Sequence, residues 1–378
     1  MRMCSIIGGV LLTIMLTNVN LAHSAQARIF LGTYTNGRDI KGIYTCTLDL
    51  ATGKLGPVEL AAEEVNPSYL AISPNGKFLY SADEGPHGRV TSFRVEPGGA
   101  LTKLNEHDAG GSATCHVWVD SAGRNLMAAN YGTGSFSSFP ILPDGSLGNR
   151  TAFVQLSGSG PNTSRQAGPH AHSVYTDAVS RFVYCCDLGT DNIWIYKDDA
   201  EHGAIDVASV GTAKAPPGAG PRHLAFHPNG RFVYVNNEMG LTVSVFKRDA
   251  NSGALSPIQV ISTLPEGTAH AASTAEIAIH LSGKWLYVSN RGEDTIATYA
   301  IGRDGKLTWI ENAKAVVVMP RGFAIDPTGR WLVAGGQNDN RIAVLEIDRK
   351  TGRLSPTDQS EAVGSPVCVI FGQATGKR

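Results

Sequence analysis

Pro221-Arg222-His223-Leu224-Ala225-Phe226-His227-Pro228-Asn229-Gly230-Arg231-Phe232-Val233-Tyr234-Val235-Asn236-Asn237-Glu238 is the clearest copy of a unit that recurs along this chain. It reads as an apolar strand, an Asn-Gly turn and a second strand. Two further strands follow, through Thr242-Val243-Ser244-Val245-Phe246-Lys247 and a turn at Asn251-Ser252-Gly253. Related copies begin near Pro67, Ala113, Pro169, Ala275 and Pro320, about 45 to 57 residues apart, the spacing expected of propeller blades. These make six complete units. A lone inner-strand piece, Pro366-Val367-Cys368-Val369-Ile370-Phe371, ends the series, and the remaining strands of a unit occupy 29–60. The two ends complete each other, so the sequence predicts an all-β, seven-bladed β-propeller closed by pairing of N- and C-terminal strands in one blade.

Composition agrees with short strands and tight turns: 43 Gly and 19 Pro are spread through 378 residues. The formal charge of −1, without a Lys/Arg run, gives no electrostatic footprint for nucleic acid. Residues 1–27 carry Arg2, an apolar run at 6–16 and then Ala25-Gln26-Ala27, the pattern of a cleaved signal peptide. The expected mature domain is 28–378, periplasmic or secreted. The apolar run is shorter than the roughly 20 residues that span a bilayer, so no stable membrane anchor is expected. Cys46, Cys115, Cys185, Cys186 and Cys368 have no metal-type spacing and read as small buried hydrophobes without a disulfide framework. Oligomeric state has no signature in the chain. The Gly/Ser-rich stretch 157–168 departs most from the period and reads as an inserted loop, where function often sits.

In an antiparallel pair joined by a tight turn, the start of the first strand and the end of the second lie side by side. Arg222 and Glu238 should therefore share one rim of the channel. The same construction brings His172 near Asp187 and Arg321 near Gln337, and sets Asn130, Asn290 and Arg291 on that rim. The turn residues Asn75-Gly76, Asn229-Gly230 and Thr328-Gly329 lie opposite and are explained by backbone geometry. Each rim residue also has a structural reading: His172 as a hydrogen-bonded sheet histidine, Arg222 and Glu238 as an ion pair, Arg291 and Arg321 as solvated loop residues, and Gln337, Asn130 and Asn290 as side chains that satisfy loop backbone groups. His170, His223 and His227 read more readily as structural than as catalytic. Convergence, rather than any one residue, points to a site.

At these residues the chain resembles the seven-bladed lactonase family that includes bacterial 6-phosphogluconolactonases and fungal carboxy-muconate lactonizing enzymes. The resemblance covers essentially the whole mature chain. It is carried by Arg165-Gln166 leading into Pro169-His170-Ala171-His172-Ser173, by Gly220-Pro221-Arg222-His223 and by Asn236-Asn237-Glu238. Ser289-Asn290-Arg291, Pro320-Arg321-Gly322-Phe323 and Ala334-Gly335-Gly336-Gln337 extend it. It implies a catalytic set of His172, Arg222, Glu238 and Arg291, with Arg321 competing for the last place. His170, Asn130, Asn290, Arg321 and Gln337 are the expected substrate-binding residues.

The implied activity is hydrolysis of a small-molecule lactone, a sugar lactone with or without phosphate. Glu238 or His172 would act as general base and the other as acid, with arginines on the oxyanion or an acidic substituent. With no serine nucleophile elbow and no cluster of metal ligands evident, neither cofactor nor metal is expected. A muconate-type cycloisomerase using the same residues, and a non-catalytic cell-envelope binding propeller, are the alternatives.

Overall fold

The structure is a computed structural model, and it describes residues 25–375 apart from 37–38, 180, 200–203 and 269–271. Seven four-stranded antiparallel sheets follow one another. Blades one to six span 67–108, 114–155, 171–214, 221–262, 273–314 and 320–362. The seventh is composite: Pro366–Thr375 is innermost, followed by Gln26–Thr33, Gly42–Asp49 and Glu59–Glu63. Its join is made by Leu31 opposite Val369 and Phe30 opposite Ile370. Pro366–Thr375 touches both Pro320–Ile325 and Pro67–Ile72, which closes the ring. The fold and its closure are those expected from the repeat.

Because side chains alternate across a strand, each blade presents one apolar face to each neighbour. Cys185 and Cys186 show this directly. Cys185 packs with Met127, Phe136 and Val154 of blade two, and Cys186 with Leu224, Val235 and Phe246 of blade four. All five described cysteines are free and buried. Burying one of the Leu, Val, Phe or Met side chains they pack against contributes about 1.5–3 kcal/mol, so every blade depends on both neighbours and the ring on its closure.

A recurrent latch reinforces the interfaces. Tyr80, Tyr184, Tyr234 and Tyr287, one from each of four blades, donate their hydroxyls to the carbonyls of Gly145, Gly253, Gly305 and Gly352 in the next blade, at 2.8 to 3.1 Å.

The register contains a feature that period-2 alternation does not produce. In every blade the pairing of the innermost strand with its neighbour skips one residue. The skipped residues are Ser68, Cys115, His172, Arg222, Arg321 and Val367, with Ala275 and Glu276 sharing the irregularity in blade five. A β-bulge re-aims the side chain of its extra residue, and here it does so at the same level of all seven blades.

Of the segment 1–27 expected to be a signal peptide, residues 1–24 lie outside the described residues. Gln26 and Ala27 already run in the first strand, paired with Asp49 and Leu48, and Ala27 is buried, so a cut after Ala27 would trim that strand by two residues. No helix among the described residues is long and apolar enough to cross a membrane.

Two glycines separate backbone need from packing need. Gly230 has φ +68° with no atom within 4 Å of a Cβ placed on it, whereas Gly305 has φ +84° and its Cβ would stand 2.3 Å from the Phe232 ring. Gly230→Ala should lower unfolding free energy by about 1 kcal/mol, the strain of a left-handed backbone. Gly305→Ala should cost clearly more, because the interface must also open. Urea denaturation of the two variants checks the order; equal losses would mean that the blade interface yields freely there.

Candidate active site

Two positions per blade build the channel mouth. One is the bulge residue. The other is at the end of the second strand: Tyr34, Glu84, Tyr131, Leu188, Glu238 and Gln337, each just after it, and Arg291, its last residue in blade five. For most of these the N–H donates to the carbonyl just before the inner strand, as Glu238 does to Gly220 (2.7 Å) and Tyr131 to Ala113 (2.9 Å). That bond fixes the start of each side chain, and the two sets meet in a cleft of about 320 Å³ lined by Glu84, Tyr131, Arg165, His172, Glu238, Ser273, Arg291 and Arg321. A larger cleft of about 590 Å³, between the outer strands of blades five and six, has no histidine in its lining. Convergence of chemistry, and not volume, selects the channel mouth.

Glu238 is the centre of the cleft. Its Oε1 accepts from Arg165 Nη2 (2.8 Å), and its Oε2 accepts from Arg222 Nε (3.2 Å) and lies 3.0 Å from Arg291 Nη2. His172 Nε2 stands 3.9 Å from the same Oε2. Burial alone would raise the carboxyl pKa, but Arg291 and Arg222, helped by Arg165, hold it down at about 2. Arg222 and Arg291 are tied in turn to the carbonyls of Ala275 and Thr274. Burial lowers Arg291 to about 10, with Glu238 opposing the shift.

His172 is buried, and that burial, followed by the charge of Arg222, pushes its pKa well below the usual value, so the ring is neutral. Across the cleft Arg321 lies over the Tyr34 ring (5.3 Å to the centroid) and 4.0 Å from Glu84, whose other oxygen accepts from the Tyr34 hydroxyl (2.8 Å).

A second tier lies one residue further along the inner strands, where Tyr69, His116, His223 and Glu276 meet. Ring centroids are 4.3 Å apart for Tyr69 and His116 and 5.4 Å for His116 and His223, and His223 reaches up to His172 at 5.1 Å. His223 Nδ1 is 3.1 Å from Glu276 Oε1. Burial drives the two partners toward their uncharged forms, His223 well below its usual pKa and Glu276 up to about 7. Below that pH the contact is a neutral hydrogen bond, and through His223 this tier packs behind His172.

Residues 28–371 match the family model described as "Lactonase, 7-bladed beta-propeller". The chain belongs to this lactonase family. A 6-phosphogluconolactonase of Bacillus subtilis is 34% identical over 345 residues, 90% of this chain and 97% of that one. Another 6-phosphogluconolactonase, from Formosa agariphila, is 31% identical over 91% of this chain and 99% of its own length. The solved structure of the periplasmic gluconolactonase of Pseudomonas aeruginosa superimposes with a TM-score of 0.86 at 30% identity, covering 92% of this chain and 99% of that one.

Within this lactonase-family scaffold, His172, Arg222, Glu238, Arg291 and Arg321 come together as the rim argument expects. Four other expected site residues lie outside the cleft lining. Asn130 and Asn290 are fully buried and turned into their blades: Asn130 accepts from the Thr114 hydroxyl and donates to the Ala109 carbonyl, and Asn290 donates to the Thr263 carbonyl and the Thr295 hydroxyl. They lock the turns between second and third strands and do not line the cleft. His170 stacks on Tyr131 (4.5 Å) with Nδ1 2.8 Å from the Tyr131 carbonyl, so it backs that residue and stands outside the cleft lining. Gln337 holds the blade-six position equivalent to Glu238, donating its N–H to Met319, but is also outside the lining.

Asp187 is likewise turned from His172; it accepts from the N–H groups of His170 and Gly189, the Thr190 hydroxyl and the Trp194 indole. The rim residues not foreseen, Tyr34, Glu84 and Tyr131, occupy the position of Glu238 in other blades, which is the signal that finds them.

Arg165 enters from the inserted loop. Beside it Gln166 is buried, donating to the Leu188 carbonyl and to Asp191 Oδ1 (2.8 Å each). Asp191 also accepts from the N–H groups of Gly218 and Gly220, just ahead of Arg222. The loop is thus anchored to the segment that carries the site.

Glu276 supplies a stability test. Its carboxyl, raised to about 7 in the folded state from 4.5, keeps in the native protein a proton that the unfolded chain releases. The stabilisation is complete below pH 4.5 and is lost as pH rises toward 7. Denaturant midpoints should decline across that window in the parent and less steeply in Glu276→Gln, which carries no ionisable proton there. Parallel slopes would contradict the assignment.

Proposed function

We propose that the protein is a carboxylic-ester hydrolase that opens a sugar lactone to the free hydroxy acid. The observation that carries this reading is one buried carboxylate gathered by three guanidiniums beside a neutral imidazole, at the mouth of a lactonase-family propeller. Relatives named 6-phosphogluconolactonase and gluconolactonase support it.

Hydrolysis needs a base for water, a charge partner for the tetrahedral oxyanion and a proton for the departing ring oxygen. Glu238 is ionised and His172 neutral at neutral pH, so neither starts as an acid. This favours one residue in both roles. His172 takes a proton from water as the water oxygen bonds to the carbonyl carbon. The imidazolium, facing Glu238, then returns that proton to the ring oxygen as the ring carbon–oxygen bond breaks. Arg291, which lines the cleft, is the guanidinium we assign to the oxyanion, with Arg222 beside it on Glu238, and their bonds to backbone carbonyls keep both preorganised.

The guanidiniums of Arg165, Arg291 and Arg321 line the cleft against the two carboxylates of Glu84 and Glu238, with Arg222 buried behind Glu238, and this surplus of positive charge suits a substrate bearing an acidic group. We place this activity outside the cytoplasm. The composition of residues 1–27 supports export, and the Pseudomonas relative is described as periplasmic.

The test is acid release by the purified mature chain from 6-phosphogluconolactone, gluconolactone and simple lactones. At least one should be hydrolysed, in the presence of chelator as in its absence. His172→Ala, Arg222→Ala and Glu238→Gln should each lower kcat/KM by about 10²- to 10⁴-fold with the fold intact. A folded protein silent across the panel, or full activity in both the His172 and Glu238 variants, would overturn the reading.

A further inference from the structure

We propose that Arg165 is the specificity-determining residue of the cleft, a guanidinium that bonds Glu238 and transfers to the acidic group of an arriving lactone. An anionic lactone thereby uncaps the carboxylate, and a neutral lactone with the same ring leaves it capped. This rests on the lactone-hydrolase reading and assigns the residue that recognises the acidic group.

Three observations set Arg165 apart from the other cleft arginines. Its side chain is 43% exposed, whereas those of Arg222, Arg291 and Arg321 are 3%, 12% and 16% exposed. The others are held by the scaffold: Arg222 and Arg291 donate to the carbonyls of Ala275 and Thr274, and Arg321 lies on the Tyr34 ring. Arg165 makes its contacts through the single nitrogen Nη2, to Glu238 Oε1 (2.8 Å) and the Tyr131 hydroxyl (3.2 Å). Lastly, it belongs to no blade. Its loop is anchored one residue away by buried Gln166, so the arm can change partners around a fixed pivot without moving a sheet.

The exchange has a chemical consequence at Glu238. That carboxylate faces Arg222, Arg291 and His172 on their inner strands and rims, and Arg321 with Glu84 across the cleft. Arg165 is the member of this group free to leave. When it does, Oε1 loses a charge-assisted hydrogen bond, and the carboxylate stabilises a neighbouring imidazolium better. Basicity of the Glu238 and His172 pair therefore rises only when the substrate supplies an anion to hold the guanidinium. The acidic group can be a phosphate or a carboxylate, which a guanidinium binds in the same forked manner.

The experiment compares three lactones of similar ring, 6-phosphogluconolactone, glucarolactone and gluconolactone, on the parent, Arg165→Met and Arg165→Lys. In the parent, kcat/KM should favour one or both anionic lactones over gluconolactone by on the order of 10- to 100-fold, the value of one or two charge-assisted bonds. The lactone preferred identifies phosphate or carboxylate as the natural group. Arg165→Met keeps the side-chain stem, and should reduce the preference to within a few-fold while moving the acid limb of gluconolactone hydrolysis to higher pH. Arg165→Lys should restore part of the preference. Two results would overturn the proposal: an Arg165→Met enzyme slowed equally on all three lactones with an unmoved acid limb, or a parent without preference. Loss of all activity in the parent would instead refute the hydrolase reading.

Discussion

A strand whose side chains alternate strictly can turn only every second residue toward a channel, and the extra residue in the innermost strand of each blade breaks that limit. Without the bulge, Arg222 and His223 would face opposite sides of their sheet, as Cys185 and Cys186 do. With it, Arg222 reaches Glu238 and His223 reaches His172 and Glu276 from consecutive positions of one strand. The same device in seven blades stacks two tiers at one end of the channel, a charged one above an aromatic and imidazole one. The bulge thus converts a stacking fold into a site.

Such a site is expensive to bury. Desolvation opposes the charged form of Glu238 and of Arg291, and a buried ion pair rarely repays that loss in stability. What supports the cluster is the ring around it: backbone carbonyls take the guanidinium protons, and the tyrosine latches and apolar faces between blades hold the positions of those carbonyls. Closure by Gln26–Thr33 against Pro366–Thr375 belongs to the same account, since an open ring would leave the inner strands free to spread and the charges to hydrate.

The repeat was legible because it is written in many residues at once: apolar alternation, turn glycines and spacing agree in six copies, and the two chain ends supply the seventh. The polar residues carry no such redundancy. Asn130 and Asn290 sit at the rim as foreseen, yet rim position does not determine whether a side chain enters the channel or folds back onto its own turn. Asp187 pairs with Ala171, next to His172 as the strand geometry requires, yet its carboxyl folds back in the same way. Glu84 and Tyr131 were missed although they hold the position of Glu238 in their own blades, because a residue at a strand's end has no periodicity of its own. Aligning the blades by that position, rather than by their turns, would have exposed them.

The inserted loop shows why one residue of the site had to come from outside the repeat. Blade residues at the channel mouth are fixed twice, by the bulge or the strand-end hydrogen bond and by contacts with the adjoining blade. That suits preorganised charge, which must not move as the reaction proceeds. It does not suit recognition of a group that some lactones carry and others lack. A contact that must be made with the substrate, yet be satisfied in its absence, needs an arm with a second partner inside the protein. Arg165 has both the freedom and the partner, and its alternative bond falls on the carboxylate around which the rest of the cleft is arranged.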